Sequence, residues 1–238
     1  MLSLKDAVVS YAHAPLQFVP GSKWSYCNPG INTLGRLIEV ISGQPYAEFM
    51  QKRLFTPLGM KDTTFWPNDA QLARLAKSYT LNADKTALDE TTVKYLTAPY
   101  SNTKRSPLAA GGLFSCAPDL VKFYQMVLNG GEANGKRLIK AETLKQMETN
   151  QTGDLKVSFA DGMHMGLGFH IVNQPQGVTE SLSPGTFGHG GAYGTQAWID
   201  PQKKLIMVLL VQRANFPNSD QSDVRREFQK AAVAAFGK

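Results

Sequence analysis

The chain has 238 residues and a mass of 26.1 kDa, which is enough to bury one sizeable core and makes one domain the simplest expectation. Its content of 42% hydrophobic and 18% charged residues is typical of a soluble globular protein and excludes a disordered, collagen-like or coiled-coil chain. The formal net charge of +6 does not predict a nucleic-acid partner, because the basic residues occur in scattered pairs rather than in a continuous stripe.

Neither the apolar runs nor the N-terminus indicates a membrane or export segment. The longest apolar run, Leu205 to Val211, is far shorter than the about 20 residues that cross a bilayer, so no membrane partner is expected. The N-terminal sequence MLSLKDAVVSY lacks the successive regions of a secretory signal, so no export address is predicted and the compartment stays open. The two cysteines, Cys27 and Cys116, form neither a metal-binding spacing nor a disulfide framework.

The first part of the chain is predicted to be mostly helical. Ile31 to Ile41 carries apolar residues at helical spacing and stops before Gly43, which predicts a buried helix. A second helix is expected from Pro45 through Phe55, ended by Pro57-Leu58-Gly59. The polar stretch from about Asn82 to Arg105 predicts a long loop or insertion. Two further helices are predicted, at Pro118 to Leu128 and Ala141 to Thr149.

After about residue 160, alternating apolar and small residues predict strands. The connection Asp200-Pro201-Gln202-Lys203 is typical of a tight hairpin, so the last two strands should be antiparallel neighbours. A helix from about Ser222 to Ala235 closes the chain. This order predicts an α+β fold with helices on one face of a thin sheet of three or four strands. The predicted strands are Gly166 to Val172, Thr186 to Tyr193, Thr195 to Ile199 and Leu205 to Gln212.

Two short segments contain residues of types that take part in catalysis or substrate binding. The first is a turn-rich loop, Pro20 to Gly30, that contains Tyr26 and Asn28 directly before the first predicted helix. A tyrosine on a rigid loop can act as general acid or base, and an amide can bind a substrate carbonyl. The second is Gly188-His189-Gly190-Gly191, where a glycine-flanked strand lets a substrate approach closely. A purely structural alternative for the loop is that Asn28 caps the helix.

Longer segments around these residues resemble the serine β-lactamase and penicillin-binding-protein superfamily, especially class C-like β-lactamases and related esterases. The resemblance covers nearly the whole chain in the family's order and implies one partial domain of that α+β fold, with a mostly helical lobe over about 1–160 and a sheet portion with a terminal helix over about 161–238. It runs through FVPGSKWSYCNPGINTLGRLIEVISGQPYAEFM, LFTPLGMKDTTF, LAAGGLFSCAPDLVKFYQMVLNGG and FGHGGAYGTQAWIDPQKKLIMVLLV.

The resemblance also implies roles for particular residues. The family's Tyr-x-Asn element corresponds to Tyr26 and Asn28, and its Lys-Thr-Gly or His-x-Gly strand element corresponds to His189, Gly190 and Gly191. By this resemblance Tyr26 is the acid/base and Asn28 orients the substrate. The backbone N–H of Ala192 then forms half of the oxyanion hole. In intact relatives a serine attacks the carbonyl while lysine and tyrosine move its proton.

One family motif is missing from this chain. The family's nucleophile is the serine of a Ser-x-x-Lys motif upstream of Tyr-x-Asn, yet none of the serines among the 25 residues before Tyr26 is followed by Lys three residues later. The match Ser101-Asn102-Thr103-Lys104 lies after Tyr-x-Asn in the polar stretch, and Cys27 should point away from a cleft that its two neighbours face. Neither is predicted to be the nucleophile. We therefore expect an N-terminally truncated domain without ordinary serine β-lactamase turnover.

An opened cleft offers a metal-dependent alternative. Asp161, His164, His170 and His189 are candidate ligands for zinc, which supplies hydroxide near neutral pH without a serine. His164 and His170 would be roughly 20 Å apart along an extended strand at about 3.3 Å per residue, so both reach one ion only if Gly166 or Gly168 bends the chain. Ligands from a second subunit are the other route to such a site.

Three functional hypotheses follow. The first is a promiscuous hydrolase of activated carboxyl or phosphate esters that uses the remnant cleft without a cofactor. The second is the zinc-dependent hydrolase, with phosphotriesters among its substrates, and the third is a catalytically inactive fragment or binding module. The expected partners are a small-molecule ester and further copies of the chain, because truncation exposes apolar surface or a strand edge that a homodimer or higher homo-oligomer would cover.

Overall fold

The chain folds into two compact units. The structure, a computed structural model, describes residues 2–93, 96, 98–157, 159–216 and 219–237. The first unit comprises Met1–Ala76 and Thr92–Asp119, and the second comprises Lys77–Thr91 and Leu120–Lys238. The organisation of these units as one domain stays a prediction.

The first unit is helical. Its helices are α1 (Leu4–Ala12), α2 (Asn28–Ser42), α3 (Tyr46–Met50), α4 (Thr56–Leu58) and α5 (Asp69–Leu72). A π-helical turn, Gln51–Phe55, joins α3 to α4, so the helix predicted from Pro45 continues to Leu58. It ends at Gly59, whose φ of 65° is the left-handed conformation that favours glycine.

The polar and small side of α2 packs against the rest of the first unit. Asn32 is buried, and its side chain donates to the Tyr11 hydroxyl at 3.3 Å and accepts from the Ala110 backbone N–H at 3.0 Å. Gly35 allows a close approach, because a Cβ at this position would lie 3.0 Å from the Cβ of Ala109. Hydrogen bonds and a small residue therefore determine which side of α2 faces inward.

The predicted α2 helix is confirmed, but the predicted burial of its apolar residues is wrong. Leu34, Leu37 and Ile41 are 55%, 49% and 77% exposed. Periodicity locates an apolar stripe but does not identify what covers it. In this chain the opposite side of the helix supplies the contacts, so the apolar stripe faces outward.

The second unit contains a hairpin inside the stretch predicted to be a loop. Strands β1 (Ser78–Leu81) and β2 (Leu88–Thr91) pair antiparallel, with Lys85 at φ 61° in the turn between them. The long-loop prediction for Asn82 to Arg105 is therefore wrong over β2, while Lys94, Tyr95 and Thr97 lie outside the described residues. The hairpin was not predicted, because its two strands are short and the polar turn Asn82 to Thr86 lies between them.

Further along the chain come α6 (Ala117–Leu128), the short hairpin strands β3 (Glu132–Ala133) and β4 (Lys136–Arg137), and α7 (Ala141–Met147). Helices α6 and α7 confirm the two helices predicted here, although α7 ends two residues earlier than expected.

The main sheet of the second unit has five antiparallel strands, in the spatial order β5 to β9, so the predicted three or four strands are too few. The difference arises because the strand predicted at Gly166 to Val172 is split. The chain turns back between Met165 and His170, with Gly168 at φ 86°, and the two flanking segments pair with each other. The strands are β5 (Met163–Met165), β6 (His170–Val172), β7 (Phe187–Gly190), β8 (Gln196–Asp200) and β9 (Leu205–Leu209).

The C-terminal part of the second unit follows the predicted α+β arrangement. The hairpin between β8 and β9 is confirmed, with Asp200 paired to Leu205. Helix α8 (Asp223–Phe236) begins at the Ser222 cap, and Phe228 and Val233 pack against the buried cluster around Trp198. Within the described ranges, no helix combines the length and apolar character needed to cross a membrane.

Candidate functional site

Tyr26 lies in the first unit, in the loop that leads into α2. Its side chain is 46% exposed. The helix begins at Asn28 with Pro29 in its first turn, and Cys27 is the N-cap, because its Sγ accepts the Gly30 backbone N–H at 3.4 Å. Asn28 is exposed and is not the cap, so the structural alternative proposed for it is wrong. Capping by Cys27 leaves the side chains of its two neighbours at the surface.

Cys27 and the Ser-x-x-Lys match at Ser101 were not predicted to supply the nucleophile, and their surroundings agree with that prediction. Cys27 is exposed, and its Sγ is engaged at the helix N-terminus. Ser101 lies in a turn, and Lys104 is at the surface with its backbone N–H bonded to the Asn102 side chain at 3.0 Å. The Ser-x-x-Lys match is therefore not on a helix, where residues three apart share a face.

His189, Gly190, Gly191 and Ala192 lie in the second unit at the end of β7. His189 and Gly190 are half-buried, and the His189 Nδ1 is 2.5 Å from the Gly190 carbonyl oxygen. Beyond the strand, the Gly191 N–H donates to the Thr195 carbonyl at 2.8 Å and closes a tight turn. Ala192 is exposed in this turn.

The glycines of this segment are required by contacts inside the second unit. A Cβ at Gly188 would collide with the Ala197 carbonyl oxygen, and one at Gly190 with Asp220 Oδ1. A Cβ at Gly191 would meet the Thr195 hydroxyl. Close packing against backbone at Gly188 and against side chains at Gly190 and Gly191 therefore accounts for these glycines without substrate approach.

His170 stacks on His189. Their ring centroids are 4.4 Å apart with an interplanar angle of 22°, and the Phe159 ring lies 4.5 Å from His170. His170 is fully buried. Burial, followed by the nearby His189 and Arg225, lowers the pKa of His170 to about 3, so its ring is neutral at neutral pH.

The four predicted zinc ligands are only partly brought together. The chain does bend between His164 and His170, but His164 pairs with Ile171 while His170 pairs with Met165, which places the two imidazoles on opposite faces of the sheet. The rings of His170 and His189 are nearly parallel, whereas zinc ligands converge on one point.

Asp161 and His164 instead line a polar cavity of about 380 Å³, together with Asp154, Lys156 and Gln174. Among the residues that the structure describes, no three His, Cys, Asp or Glu side chains form a group able to hold a metal ion. The zinc alternative stays a prediction that requires ligands from a second chain.

A buried polar network beside β7 was not predicted. The Trp198 Nε1 donates to Gln196 Oε1 at 2.8 Å, and the Gln196 Nε2 donates to Asp220 Oδ1 at 3.2 Å. The Arg225 guanidinium donates to the Asp220 carbonyl at 2.7 Å. Because Asp220 occupies the space beside Gly190, this network positions the end of β7. The sequence signal for this network was weak, because it consisted of one glutamine, Gln196, beside the apolar residues of β8.

Comparison with known proteins identifies relatives that are about twice as long. An uncharacterized protein of Mycobacterium tuberculosis (strain CDC 1551 / Oshkosh) is 30% identical over 217 residues, which cover 86% of this chain and 52% of the relative. A protein of Escherichia coli K12 named "Putative D-alanyl-D-alanine carboxypeptidase" is 27% identical over 94% of this chain and 53% of its own length. The chain thus spans about half the length of these curated relatives.

A solved structure and a family model agree with these matches. The structure of "EstCE1, a hydrolase with promiscuous acyltransferase activity" superimposes with a TM-score of 0.80 at 22% identity and covers 98% of this chain and 61% of that one, which shows a shared fold. The family model described as Beta-lactamase matches residues 2–232. This match extends over nearly the whole chain, including the Tyr26 loop and the β7 segment, and the protein therefore belongs to the β-lactamase family.

Proposed function

We propose that this chain hydrolyses activated carboxyl or phosphate esters, with Tyr26 as the general acid/base. Its family is one of hydrolases, which supports the reaction class. The single observation that carries the proposal is the exposed Tyr26 side chain on a loop anchored by the cap of α2. Asn28, the adjacent exposed amide, orients the substrate.

The proposed acid/base step sets the substrate class. In the proposed step, Tyr26 as phenolate accepts a proton from water while the water oxygen forms a bond to the acyl carbon or phosphorus. The bond to the leaving oxygen breaks, and the leaving group departs with the electron pair. General acid/base catalysis contributes only about 10²–10⁴-fold, so the leaving group must be stable as an anion. Nitrophenyl esters meet this requirement.

The test compares Tyr26→Phe with Tyr79→Phe. Tyr79 lies on β1 in the second unit and is similarly exposed, at 38%, so its replacement controls for loss of a surface phenol. We measure kcat/KM for p-nitrophenyl acetate and a p-nitrophenyl phosphotriester. Tyr26→Phe should lower kcat/KM by about 10²-fold or more, mainly through kcat, whereas Tyr79→Phe should retain it.

Other outcomes separate the competing hypotheses. Full activity in Tyr26→Phe would show that Tyr26 is not the acid/base. Activity that a chelator removes and zinc restores would favour the metal-dependent hydrolase. A wild-type protein with no turnover on the whole ester panel would favour the inactive fragment or binding module.

A further inference from the structure

The polar cavity of about 380 Å³ in the second unit has no role in the proposed ester hydrolysis. Its lining residues lie in the stretch 154–174, which comprises the loop before β5, β5 and β6, and the start of the next loop. Ligand pockets in proteins have volumes of about 300–1,000 Å³, so this cavity has room for a small molecule. It is formed by residues of the second unit alone.

Backbone contacts hold the two sides of this cavity together. The Gly162 carbonyl accepts the N–H groups of Asn173 and Gln174, each at 2.9 Å. Gly162 has φ 73°, and a Cβ at this position would collide with the Gln174 carbonyl oxygen, so glycine permits the close approach. Met163 pairs with Val172 immediately beyond it. The two lining segments are therefore fixed against each other, which lowers the entropic cost of binding a ligand between them.

The charged side chains of the cavity are unpaired within the part of the chain that the structure describes. Asp154 and Asp161 contribute two carboxylates, and Lys156 contributes one ammonium group. All three are exposed, and none of their side chains forms a hydrogen bond or ion pair with a described residue. The Nδ1 of His164, which also lines the cavity, is buried and has no hydrogen-bond partner there. Because buried polar atoms normally have a partner, this nitrogen is available to a ligand.

We propose that the cavity binds a free amino acid with a cationic side chain, of the lysine or arginine type. Asp154 and Asp161 bind the two cationic groups of this ligand, and Lys156 binds its carboxylate, so each charge meets one of opposite sign. Two carboxylates and one ammonium group leave the lining with one excess negative charge. A basic amino acid has one excess positive charge and neutralises it.

The uncharged part of the lining suits the rest of such a ligand. Leu155, Val157 and Met163 provide apolar surface against which the methylene groups of the ligand side chain pack. The side-chain amides of Asn173 and Gln174 offer donors for the ligand carboxylate and acceptors for its N–H groups.

Other classes of small ligand match this lining less completely. Among the described residues, no three His, Cys, Asp or Glu side chains form a group able to hold a metal ion. A simple anion would face the carboxylates of Asp154 and Asp161, and a diamine would leave Lys156 without a partner. The basic amino acid is the class that pairs all three charged side chains.

The first experiment compares three small molecules of similar length by amide NMR titration of the full chain. L-lysine carries all the proposed groups, L-norleucine lacks the side-chain ammonium group, and cadaverine lacks the carboxylate. L-lysine should bind with a Kd of about 1 mM or lower, as a few exposed ion pairs allow, and should shift amide signals of residues 154–174. L-norleucine and cadaverine should bind at least about fivefold more weakly.

Three variants test the assigned residues in the same titration. Asp161→Asn should weaken L-lysine binding at least about fivefold. Asp89→Asn is the matched control, because Asp89 is an exposed aspartate on β2 of the same unit, and it should leave the Kd unchanged. Lys156→Gln should weaken binding of L-lysine but not of cadaverine, which has no carboxylate for Lys156 to bind. A merely structural role of Lys156 would weaken binding of both compounds.

Several results would overturn the proposal. These are no shift of the 154–174 signals at millimolar L-lysine, equal affinity for the three small molecules, and equal effects of Asp161→Asn and Asp89→Asn. A loss of both L-lysine and cadaverine binding in Lys156→Gln would contradict it as well. The titrations contain no ester, so their outcome is independent of the role proposed for Tyr26.

Discussion

His170 shows how a single residue makes stability depend on pH. The side chain is fully buried between Phe159 and His189, and within the described part of the chain neither ring nitrogen has a hydrogen-bond partner. A charged imidazolium in this position would be desolvated and would face His189 and Arg225. The folded state therefore keeps His170 neutral well below the pH at which an exposed histidine takes up a proton.

We predict that acid destabilises the wild type more than His170→Phe. Between the unfolded pKa of 6.5 and the folded pKa of about 3, only the unfolded state binds the proton, so unfolding is favoured as the pH falls. The slope approaches about 1.4 kcal/mol per pH unit well below pH 6.5, and from pH 6.5 to pH 5 the wild type should lose about 1.6 kcal/mol more than the variant. Urea unfolding at both pH values measures this difference.

His13→Gln serves as the control for this pH experiment. His13 is exposed at the end of α1, so His13→Gln removes a histidine without disturbing a buried site, and its pH profile is the reference for His170→Phe. Parallel pH profiles for wild type and His170→Phe would show that His170 is not the group responsible.

Helix α2 shows what an element's sequence predicts and what it does not. Pro29 in the first turn and Gly43 after the last turn give its bounds, because proline suits a helix start and glycine adopts the left-handed C-cap. The burial of Asn32 and Gly35 depends on Tyr11, Ala109 and Ala110, which are distant in the sequence. Local periodicity contains no information about these contacts, so the inward side was predicted wrongly.

Substitutions of Gly43, the C-cap of α2, test whether its left-handed conformation contributes to stability. Gly43 has φ 66° and ψ 16°, and a Cβ there would meet no atom within 4 Å, so backbone strain is the only penalty of substitution. Gly43→Ala should lower the free energy of unfolding by about 1 kcal/mol. Gly43→Asn should lose less, because asparagine tolerates this conformation. Equal losses in urea unfolding for the two variants would contradict this explanation.

Across the whole molecule, sequence reasoning predicted the family, the helices α2, α6, α7 and α8, and the β8–β9 hairpin, because each has a local or motif signal. It missed the turn that separates β5 from β6, since Gly166 and Gly168 lie inside a run that alternates like one strand. It also missed the Asp220 and Arg225 network, whose members are polar residues that become buried only when α8 packs on the sheet.

Arg225 connects helix α8 to the main sheet. Its guanidinium lies 4.1 Å from the Trp198 ring centroid, its Nε donates to Gln229 at 3.3 Å, and its Nη1 bonds the Asp220 carbonyl. Burial lowers the pKa of Arg225 to about 10, opposed by the Asp220 charge, so the side chain is still a cation at neutral pH. The contacts of this cation join residues from β8, the turn before α8, and α8 itself.

We predict that Arg225→Ala lowers the free energy of unfolding by about 3 kcal/mol, because it opens a cavity beside Trp198 and leaves the buried Asp220 carboxylate without its cation. Arg225→Met should lose less, since it refills the cavity. Arg226→Ala, at the neighbouring half-exposed position, should change stability by less than about 1 kcal/mol. Urea unfolding monitored by tryptophan fluorescence and circular dichroism compares them. If Arg225→Ala and Arg226→Ala unfolded at the same midpoint, α8 would be held by its apolar contacts alone.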